Sequence, residues 1–337
     1  MVMPMTSADA NRFEAATARY RRELLAHCYR MTGSATDAQD LVQETYLRAW
    51  RAFGQFEGRS SLRTWLYRIA TNVCLTSLKG RPRRVLPSGL GPPSADPYAP
   101  AAPALGDVAW VEPVSDGLVV DERGDPAEVA AVRQTVRLAL IAATQTLPPR
   151  QRVAFLLCDV LDQPGADAAD VLGVSIPALK SLLQRARARL KQQTLADEDL
   201  VEPTDDRARL VLDRYMAAFE QSDVSAIERL LADEATLEMT GTTTWFAGKA
   251  TCVPFITAQA IGQAGDWRMV PLHANGQLAA AAYHRGDGGG YHPFAIVVLT
   301  TTRTHLGRIA LFAQPPLFRR FGLPPAIAAG HDLGTVA

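Results

Sequence analysis

A run rich in proline, glycine and alanine interrupts this chain of 337 residues and limits what the segments on either side can fold into. The run extends from Pro82 to Pro126 and contains RPRRVLPSGLGPPSADPYAPAAPALGD. Because proline fixes φ and removes a backbone donor, neither a long helix nor a central strand can continue through it. We therefore expect an extended linker between separate domains, with Trp110 of its WVEPVSDGLV segment as an apolar anchor in an otherwise polar tether.

The segments on both sides of this linker have the periodicity of helices. No proline occurs between Met5 and Arg81, and the apolar residues there recur at helical spacing. Within DAQDLVQETYLRAWRAF we expect Asp37 to cap a helix whose apolar stripe includes Leu41 and Leu47. Helical periodicity returns from Pro126 to Lys191, with interruptions at LPPRQR and around DQPGA. Both segments are therefore predicted to be all-α.

A different pattern begins at Asp205. Two amphipathic helices, DDRARLVLDRYMAAFEQ and DVSAIERLLAD, precede short β-rich runs that are separated by Gly and Asn turns. The runs are ATLEMT, WRMVPLHA, QLAAAAYHR, YHPFAIVVLTTT and LGRIALFA. This order predicts an α+β domain at the end of the chain.

The 35 basic and 35 acidic residues cancel over the whole chain but are unevenly distributed. Residues 1–85 carry 14 Lys and Arg against 7 Asp and Glu, and residues 130–193 carry 9 against 4. Residues 86–129 carry 1 against 8, and residues 194–337 carry 11 against 16. Two basic modules thus alternate with two acidic ones, as expected when only part of a chain binds phosphate.

The stretch LGVSIPALKSLLQRARARL, in the second basic module, predicts a helix-turn-helix. Ser175 is a favourable N-cap, so the second helix should begin at Ile176. Its apolar side is expected to consist of five residues: Ile176, Leu179, Leu183, Ala186 and Leu190. The preceding GADAADVLG should form the first helix and end at Gly173, although Pro164 and Gly165 are expected to weaken it. An ordinary helical hairpin with a solvated basic face has the same pattern, and this stretch alone does not separate the two.

Three motifs in one order resemble a known family. DAQDLVQETYLRAWRAF, FEGRSSLRTWLYRIATNVCL and LPPRQRVAFLLCDVL, followed by the helix-turn-helix, are similar to a bacterial RNA polymerase sigma factor of the extracytoplasmic-function (ECF) type. WVEP and the C-terminal half further resemble the subgroup with a SnoaL-like extension. The resemblance implies a multi-domain fold. It consists of an all-α sigma-2 domain (1–85), a Pro/Gly-rich acidic linker (86–129), an all-α sigma-4 helix-turn-helix domain (130–195) and an α+β SnoaL-like (NTF2-like) cone domain (205–325).

The family resemblance implies binding to core RNA polymerase, at its β′ clamp helices and β flap, and to promoter DNA. The polymerase contacts are expected on the helix of the first motif, at Asp37, Asp40, Gln43, Glu44 and Arg48. A solvated helix face has the same composition. The resemblance also implies that the sigma factor directs promoter-specific transcription initiation and that its C-terminal domain modulates this activity.

Two groups of residues are expected to contact DNA. Melting of the −10 element requires extruded bases held beside a positively charged strand track, which the resemblance assigns to Phe56, Arg59, Ser60, Ser61, Arg63, Arg68, Asn72, Lys79 and Arg81. Reading of the −35 element is assigned to Arg150, Arg152, Ser175, Lys180, Ser181, Gln184, Arg185 and Arg187. Lys180, Ser181 and Gln184 are the candidates for base edges, and the arginines are the candidates for phosphates.

The C-terminal domain allows two interpretations. In ketosteroid-isomerase relatives of the SnoaL-like fold, a carboxylate base and an oxyanion donor face each other inside the cone. The corresponding candidates here are Glu238, Trp245, Trp267, His273 and Tyr283, which could line a pocket for a small hydrophobic ligand. No spacing among them is diagnostic, and we expect a regulatory module rather than an enzyme. For the whole chain, the alternatives to a sigma factor are a free-standing helix-turn-helix regulator and a DNA-binding protein fused to a SnoaL-type isomerase or cyclase.

Composition argues against several other classes of protein. No apolar run reaches the roughly 18 residues of a membrane span, and MVMPMTSADANRFE lacks the order of a signal peptide. The four cysteines contain no CxxC pair, which argues against a zinc site or a disulfide framework. We expect a cytoplasmic protein without a cofactor or metal.

Overall fold

The computed structural model describes residues 7–191, 206–302 and 304–328, and the chain divides into two units. The helical unit contains Met1–Arg83, Leu118–Gly124 and Ala139–Leu195. The sheet unit contains Arg84–Gly117, Asp125–Leu138 and Ala196–Ala337. Residues 192–195, predicted to end the sigma-4 domain, lie outside the described residues.

Most helices precede the strands along the chain, as the sequence predicts, but one helix lies between two strands and another follows the last strand. The helices are α1 (Ser7–Thr17), α2 (Arg21–Thr32), α3 (Ala35–Ala52), α4 (Leu62–Ser77), α5 (Asp116–Val119), α6 (Pro126–Val136), α7 (Leu138–Gln145), α8 (Pro149–Phe155), α9 (Gly165–Leu172), α10 (Ile176–Leu190), α11 (Asp206–Glu220), α12 (Val224–Leu230), α13 (Lys249–Phe255) and α14 (Pro316–Arg320). The strands are β1 (Leu231–Thr240), β2 (Trp245–Ala247), β3 (Trp267–Ala274), β4 (Gln277–Arg285), β5 (Tyr291–Thr301) and β6 (Leu306–Phe312).

The sequence predicts Asp37 as the cap of helix α3, but the structure shows that Ser34 is the cap. Ser34 has an extended backbone, with φ −135° and ψ 122°, and its Oγ accepts a hydrogen bond from the Asp37 N–H at 3.0 Å. An N-cap needs a backbone outside helical geometry, and Asp37 already lies in the first turn. Leu47, predicted on the apolar stripe, is 51% exposed. The buried side of α3 consists of Ala35, Ala38, Leu41, Val42, Thr45 and Ala49.

Helices α9 and α10 form the predicted helix-turn-helix. Gly173 ends α9 in the left-handed region, with φ 62°, and Ser175 Oγ accepts a hydrogen bond from the Ala178 N–H at the start of α10. Pro164 and Gly165 lie at the cap and the first position of α9. The expectation that they weaken this helix is therefore wrong, because a missing donor at a helix start removes no internal hydrogen bond.

The sheet has the strand order β2-β1-β6-β5-β4-β3. β1 and β6 are parallel, and the other neighbours are antiparallel. On one side of the sheet, α11, α12 and α13 pack over a core that includes Leu237, Phe246 and Val297. Leu237 and Ala282 belong to this core. Because side chains alternate along a strand, the residues that follow them in the sequence, Glu238 and Tyr283, lie on the opposite side of the sheet.

Residues Arg84–Gly117 of the predicted tether belong to the sheet unit and pack against β2 and the turn that precedes it. The Ser94 N–H donates to Trp245 O at 2.8 Å, Trp245 Nε1 donates to Gly91 O at 2.9 Å, and the Ala104 N–H donates to Gly241 O at 2.9 Å. Val111 is fully buried, whereas Trp110, the expected anchor, is only half-buried. The remaining amides of this proline-rich segment thus cover the exposed edge of β2, which would otherwise be free to pair with another chain.

Two features concern the chemistry of the described residues as a whole. Within residues 7–191, 206–302 and 304–328, no helix combines the length and the hydropathy that a membrane crossing requires. Cys28, Cys74 and Cys252 are buried free thiols, and Cys158 is half-buried. Three of the four cysteines therefore act as small core residues.

The buried imidazole of His27 makes the stability of the helical unit depend on pH. His27 Nε2 lies 3.0 Å from Thr71 Oγ1, and burial, with a smaller effect of the nearby Arg30 charge, lowers the pKa of His27 to about 3. In the unfolded chain His27 has a pKa near 6.5, so it binds a proton at a pH where the folded chain does not.

We expect the free energy of unfolding to fall by up to a few kcal/mol as pH drops from about 6.5 towards 3. Urea unfolding of His27→Gln between pH 7 and pH 4 should show a weaker pH dependence. His305→Gln, at an exposed position, should keep the full dependence; equal slopes in both variants would contradict this assignment.

Candidate nucleic-acid interface

Helix α10 has one buried side and one exposed polar side. Leu179, Ala186 and Leu190 are buried, and α10 packs against α8 and α9. The exposed side carries the predicted base-edge and phosphate candidates Ser175, Lys180, Ser181, Gln184 and Arg185. Ile176, the first residue of α10, was expected on the buried stripe but is 46% exposed. Four of these candidates, Lys180, Ser181, Gln184 and Arg185, thus lie on one accessible side of α10, and Ser175 is its N-cap.

Two further −35 candidates are exposed but engaged. Arg187 makes two hydrogen bonds to the carboxylate of Asp159, at 2.8 and 2.7 Å. Arg150 donates from Nη2 to Leu172 O at 3.2 Å, near the end of α9. A two-point arginine–carboxylate pair fixes the direction of the guanidinium. Arg187 would have to exchange Asp159 for a phosphate before it could contact DNA.

Arg152, the remaining −35 candidate, is buried with only 3% of its surface exposed. Its guanidinium donates to acceptors at the ends of two helices: Met31 O, Thr144 O, Gln145 O, Gln145 Oε1 and Leu147 O. Burial lowers the pKa of Arg152 to about 10, so the side chain stays protonated at neutral pH. The prediction of a phosphate contact is wrong for the arrangement in this structure, because every direction of the guanidinium fork is used internally.

The loop before α4 has a structural role in addition to its predicted −10 role. Ser61 caps α4, and its Oγ accepts a hydrogen bond from the Thr64 N–H at 3.0 Å. Phe56 is half-buried, with its ring 5.0 Å from that of Trp65. Arg59 is exposed and pairs with Glu57, and the neighbouring Ser60 is half-buried. These contacts fix the conformation of the loop that would capture an extruded base.

The predicted −10 cations differ in how far they are engaged. Arg63 is held between Glu23 and the face of the Tyr67 ring, so it is part of the packing of α2 against α4. Arg68 pairs with Asp170 of α9 at 3.2 Å, and Arg81 pairs with Asp37 at 3.3 Å. Asn72 and Lys79 are exposed. Arg68, one of the cations that the −10 element is expected to contact, is therefore already paired with Asp170.

The predicted polymerase-binding residues lie on the solvent side of α3. Asp40 and Gln43 are exposed, and Glu44 pairs with Arg48 at 2.7 Å one helical turn later. Asp37 lies at the start of the same helix and pairs with Arg81. The exposed Leu47, which the sequence had placed in the core, lies three residues after Glu44. The face is thus polar with one apolar side chain.

The five pocket candidates of the C-terminal domain are not brought together. Trp267 belongs to the core under the helices, and His273, six residues later in β3, lies on the same side of the sheet. Glu238 and Trp245 are cross-strand partners on the other side, and Tyr283 also lies there. Glu238 Oε2 accepts a hydrogen bond from the Ser88 N–H at 3.0 Å, and Tyr283 donates to Pro324 O at 2.9 Å. The prediction of a common pocket is wrong, because the period of two along a strand places these residues on opposite faces of the sheet.

The acidic partners of these cations were missed in the sequence. Glu23, Asp159 and Asp170 lie 40, 28 and 102 residues from the arginines with which they pair. No local spacing signals such pairs. The basic residues were easier to find, because they recur within α4 and again within α10.

Comparisons with known proteins decide the family. The family models "Sigma-70 region 2" and "Sigma-70, region 4" match residues 17–84 and 137–190. The ECF RNA polymerase sigma factor SigG of Mycobacterium tuberculosis is 48% identical over 324 residues, which cover 95% of this chain and 86% of SigG. The chain belongs to the family of ECF RNA polymerase sigma factors. Region 2 thus contains α2, α3 and α4, and region 4 contains α7 to α10.

A second relative shows that the fold extends beyond these two regions. The ECF RNA polymerase sigma factor SigJ of Mycobacterium tuberculosis is 30% identical over 229 residues, which cover 68% of this chain and 64% of SigJ. The crystal structure of SigJ superposes with a TM-score of 0.59 at 24% identity and covers 94% of this chain and 100% of that one. The predicted fold class, two helical sigma modules followed by an α+β domain, is confirmed.

Replacing Arg152 should destabilise the sigma factor. In Arg152→Met three main-chain carbonyls, Met31 O, Gln145 O and Leu147 O, would lose their donor without gaining water, and each such buried group costs about 1–3 kcal/mol. We expect the free energy of unfolding, measured with urea and circular dichroism, to fall by at least about 3 kcal/mol. The exposed Arg150→Met should lose less than about 1 kcal/mol. A normal stability of Arg152→Met together with weaker DNA binding would instead support the original phosphate assignment.

Neutralising Asp170 should release Arg68. The pair is half-exposed, and exposed pairs contribute about 0.2–1 kcal/mol, so Asp170→Asn should raise promoter affinity by up to about fivefold at low salt. Asp167→Asn removes an equal charge from the exposed side of the same helix and serves as the matched control. The gain should disappear in an Arg68→Ala background. An equal gain from both asparagine variants would indicate a general charge effect and not the release of Arg68.

Proposed function

We propose that this ECF sigma factor reads the −35 element with the exposed face of α10, contacts the −10 element through α4 and its preceding loop, and docks on core polymerase through α3. The observation that carries the proposal is the position of Lys180, Ser181, Gln184 and Arg185 on one exposed side of α10. The opposite side of α10 is held in the helical unit by Leu179, Ala186 and Leu190. The match of residues 137–190 to sigma-70 region 4 favours the helix-turn-helix over a hairpin with a solvated face.

The two ends of α10 have different roles in the proposed complex. The first turns of a recognition helix reach base edges in the major groove, which assigns sequence choice to Lys180, Ser181 and Gln184. Later residues lie beside the backbone, which assigns affinity to Arg185 and, after release from Asp159, to Arg187. Arg152 is left out of this interface because its donors are used within the protein.

The proposed −10 contacts combine exposed and paired residues. Asn72 and Lys79 are accessible on α4 and just after it. Arg68 joins them when it leaves Asp170, and Phe56 and Arg59 lie in the loop proposed to capture a base. Because stacking on an aromatic ring and a positive strand track both favour single strands, this surface suits an opened promoter.

Docking on polymerase is assigned to the exposed face of α3. Asp40, Gln43 and the Glu44–Arg48 pair supply polar groups around Leu47, the one large apolar side chain on that face. An apolar centre with a polar rim is the common pattern of protein interfaces. The exposure of Leu47 therefore supports this assignment.

The sheet unit is proposed to regulate the factor rather than to catalyse a reaction. The carboxylate of Glu238 is bonded to the linker at Ser88 and lies 3.3 Å from Arg308 Nε, and the Tyr283 hydroxyl is bonded to Pro324. Both groups that an isomerase would need are thus engaged in holding the linker and the C-terminal segment. The unit is proposed to act on transcription in the cytoplasm by holding the linker at Ser88 against the sheet.

Two substitutions in α10 test the division between sequence choice and affinity. Lys180→Ala should relax preference at one −35 base pair by about 1–3 kcal/mol, whereas Arg185→Ala should weaken all promoters and reduce the salt slope by about one. Binding of the holoenzyme as a function of salt, and core-dependent run-off transcription, would be measured on promoters selected from a randomised library. Arg229→Ala, an exposed arginine of the sheet unit, is the control. Failure of the wild-type protein to initiate with core polymerase would sink the proposal.

A further inference from the structure

The turn between β3 and β4 binds the linker and α6 through buried hydrogen bonds. Asn275 and Gly276 form a two-residue turn, with φ values of 59° and 64°, and Gln277 begins β4. The Asn275 N–H donates to Val114 O at 2.9 Å, and its Oδ1 accepts from the Val114 N–H at 3.1 Å. The Gly276 N–H donates to Asp116 Oδ1 at 2.8 Å. Asn275 and Asp116 are buried, so these bonds form out of contact with water.

The same turn closes a break between two helices. Asn275 Nδ2 donates to Val136 O, the last carbonyl of α6, at 2.8 Å. Gln277 Oε1 accepts from the N–H of Leu138, the first residue of α7, at 2.9 Å. The break itself is at Arg137, whose ψ of 138° leaves helical geometry. One side chain thus satisfies each of the two helix ends.

Nothing in the local sequence calls for a break at Arg137. The segment EVAAVRQTVRLALIAATQ contains neither proline nor glycine, and it is rich in alanine and leucine, the strongest helix formers. Its periodicity predicts one helix from Pro126 to the proline pair at 148–149. The break is therefore imposed by contacts with residues far along the chain.

A continuous helix would satisfy the same two groups in another way. The N–H of Leu138 would bond to Gln134 O, and Val136 O would accept from the N–H of Leu140. Asn275 and Gln277 supply substitutes for these two main-chain bonds. The broken and the continuous helix thus satisfy the Leu138 N–H and Val136 O equally well. The free-energy difference between the two forms is therefore set by how well the turn at residues 275–277 packs against α6.

Gly276 makes that fit possible. A Cβ at this position would lie 2.4 Å from Arg133 O, which is main chain of α6. No side chain can be accommodated there unless α6 moves away from the turn. Gly289, in the turn between β4 and β5, also has a positive φ, of 78°, but a Cβ there would meet nothing within 4 Å. The close approach at Gly276 is thus a requirement of docking and not of the hairpin turn.

We propose that the Asn275–Gly276–Gln277 turn is a latch that holds residues 126–145 as two helices, and that release of the latch lets them form one continuous helix. The released form would join α6 directly to α7, the first helix of region 4, through main-chain hydrogen bonds. A partner or modification that binds one form better than the other would shift the equilibrium between them. This mechanism rests on the proposed regulatory role of the sheet unit and assigns that role to a particular contact.

Hydrogen exchange of the full-length protein, followed by mass spectrometry, tests the latch. In the double variant Asn275→Asp/Gln277→Met, the first loses the donor to Val136 O and the second loses the acceptor for Leu138 N–H. Amides in the first turn of a helix have no partner within that helix, so those of Ala139 and Leu140 gain one only in the continuous form. We expect their exchange to become slower, by roughly tenfold or more. Simple fraying of the helix ends would make it faster, and faster or unchanged exchange would overturn the proposal.

Two further comparisons make the test specific. Gly276→Ala should slow exchange in the same way, whereas Gly289→Ala carries the same backbone strain and should not. Arg137→Pro locks the broken form, because proline suits the φ of −52° at this position but cannot continue a helix. Added to the double variant, it should restore the original exchange rates. Unchanged exchange in β5 would show that the sheet is intact in each variant.

Core-dependent transcription separates the latch from the regulatory role. Opposite shifts in transcript yield for Arg137→Pro and for Asn275→Asp/Gln277→Met would support both. Slower exchange with unchanged transcription in both variants would support the latch and overturn regulation through the sheet unit. A change in transcription without the exchange effect would overturn the latch alone.

Discussion

The buried guanidinium of Arg152 is the interaction on which the helical unit most depends. Its donors bond to carbonyls at the C-terminal ends of α2 and α7, including Met31 O and Gln145 O. Carbonyls at a helix end lack partners within the helix and carry the negative end of its dipole, so a positive fork placed between two such ends satisfies both. Arg152 lies in α8, against which α10 packs. The position of α10 thus depends on how this one side chain is bound.

Charge serves two purposes in this factor, and burial separates them. Arg152 has no access to solvent, whereas Lys180 and Arg185 are exposed on α10. Arg68 and Arg187 are between these extremes, since each is exposed but paired with an aspartate. A surface pair contributes little enough to stability for another anion to displace the carboxylate, whereas a buried set of five hydrogen bonds does not. Counting basic residues alone cannot distinguish these roles.

The sequence predicted features that depend on neighbouring residues and missed those that depend on distant ones. The cap at Ser175, the turn at Gly173 and the helix-turn-helix follow from local rules and are found in the structure. The burial of Arg152 depends on Met31, 121 residues away, and the engagement of Glu238 depends on Ser88, 150 residues away. The pocket prediction failed for a related reason. It joined residues by chemical type, although strand alternation puts Trp267 and Tyr283 on opposite faces of the sheet.

The linker shows why amino-acid composition did not predict which segments pack against the sheet. A proline-rich segment cannot build its own hydrogen-bonded structure, and for this reason its remaining donors and acceptors are available to another element. Here they bond to β2 and to the turn at Asn275. The reverse holds for residues 126–145, where a sequence suited to one helix is held as two. In both segments the sheet unit overrides the local preference, and a conformation opposed to local preference is one that a change in contacts can reverse. Control of the factor is therefore best sought where local and long-range preferences disagree, at Arg137 and the turn that holds it.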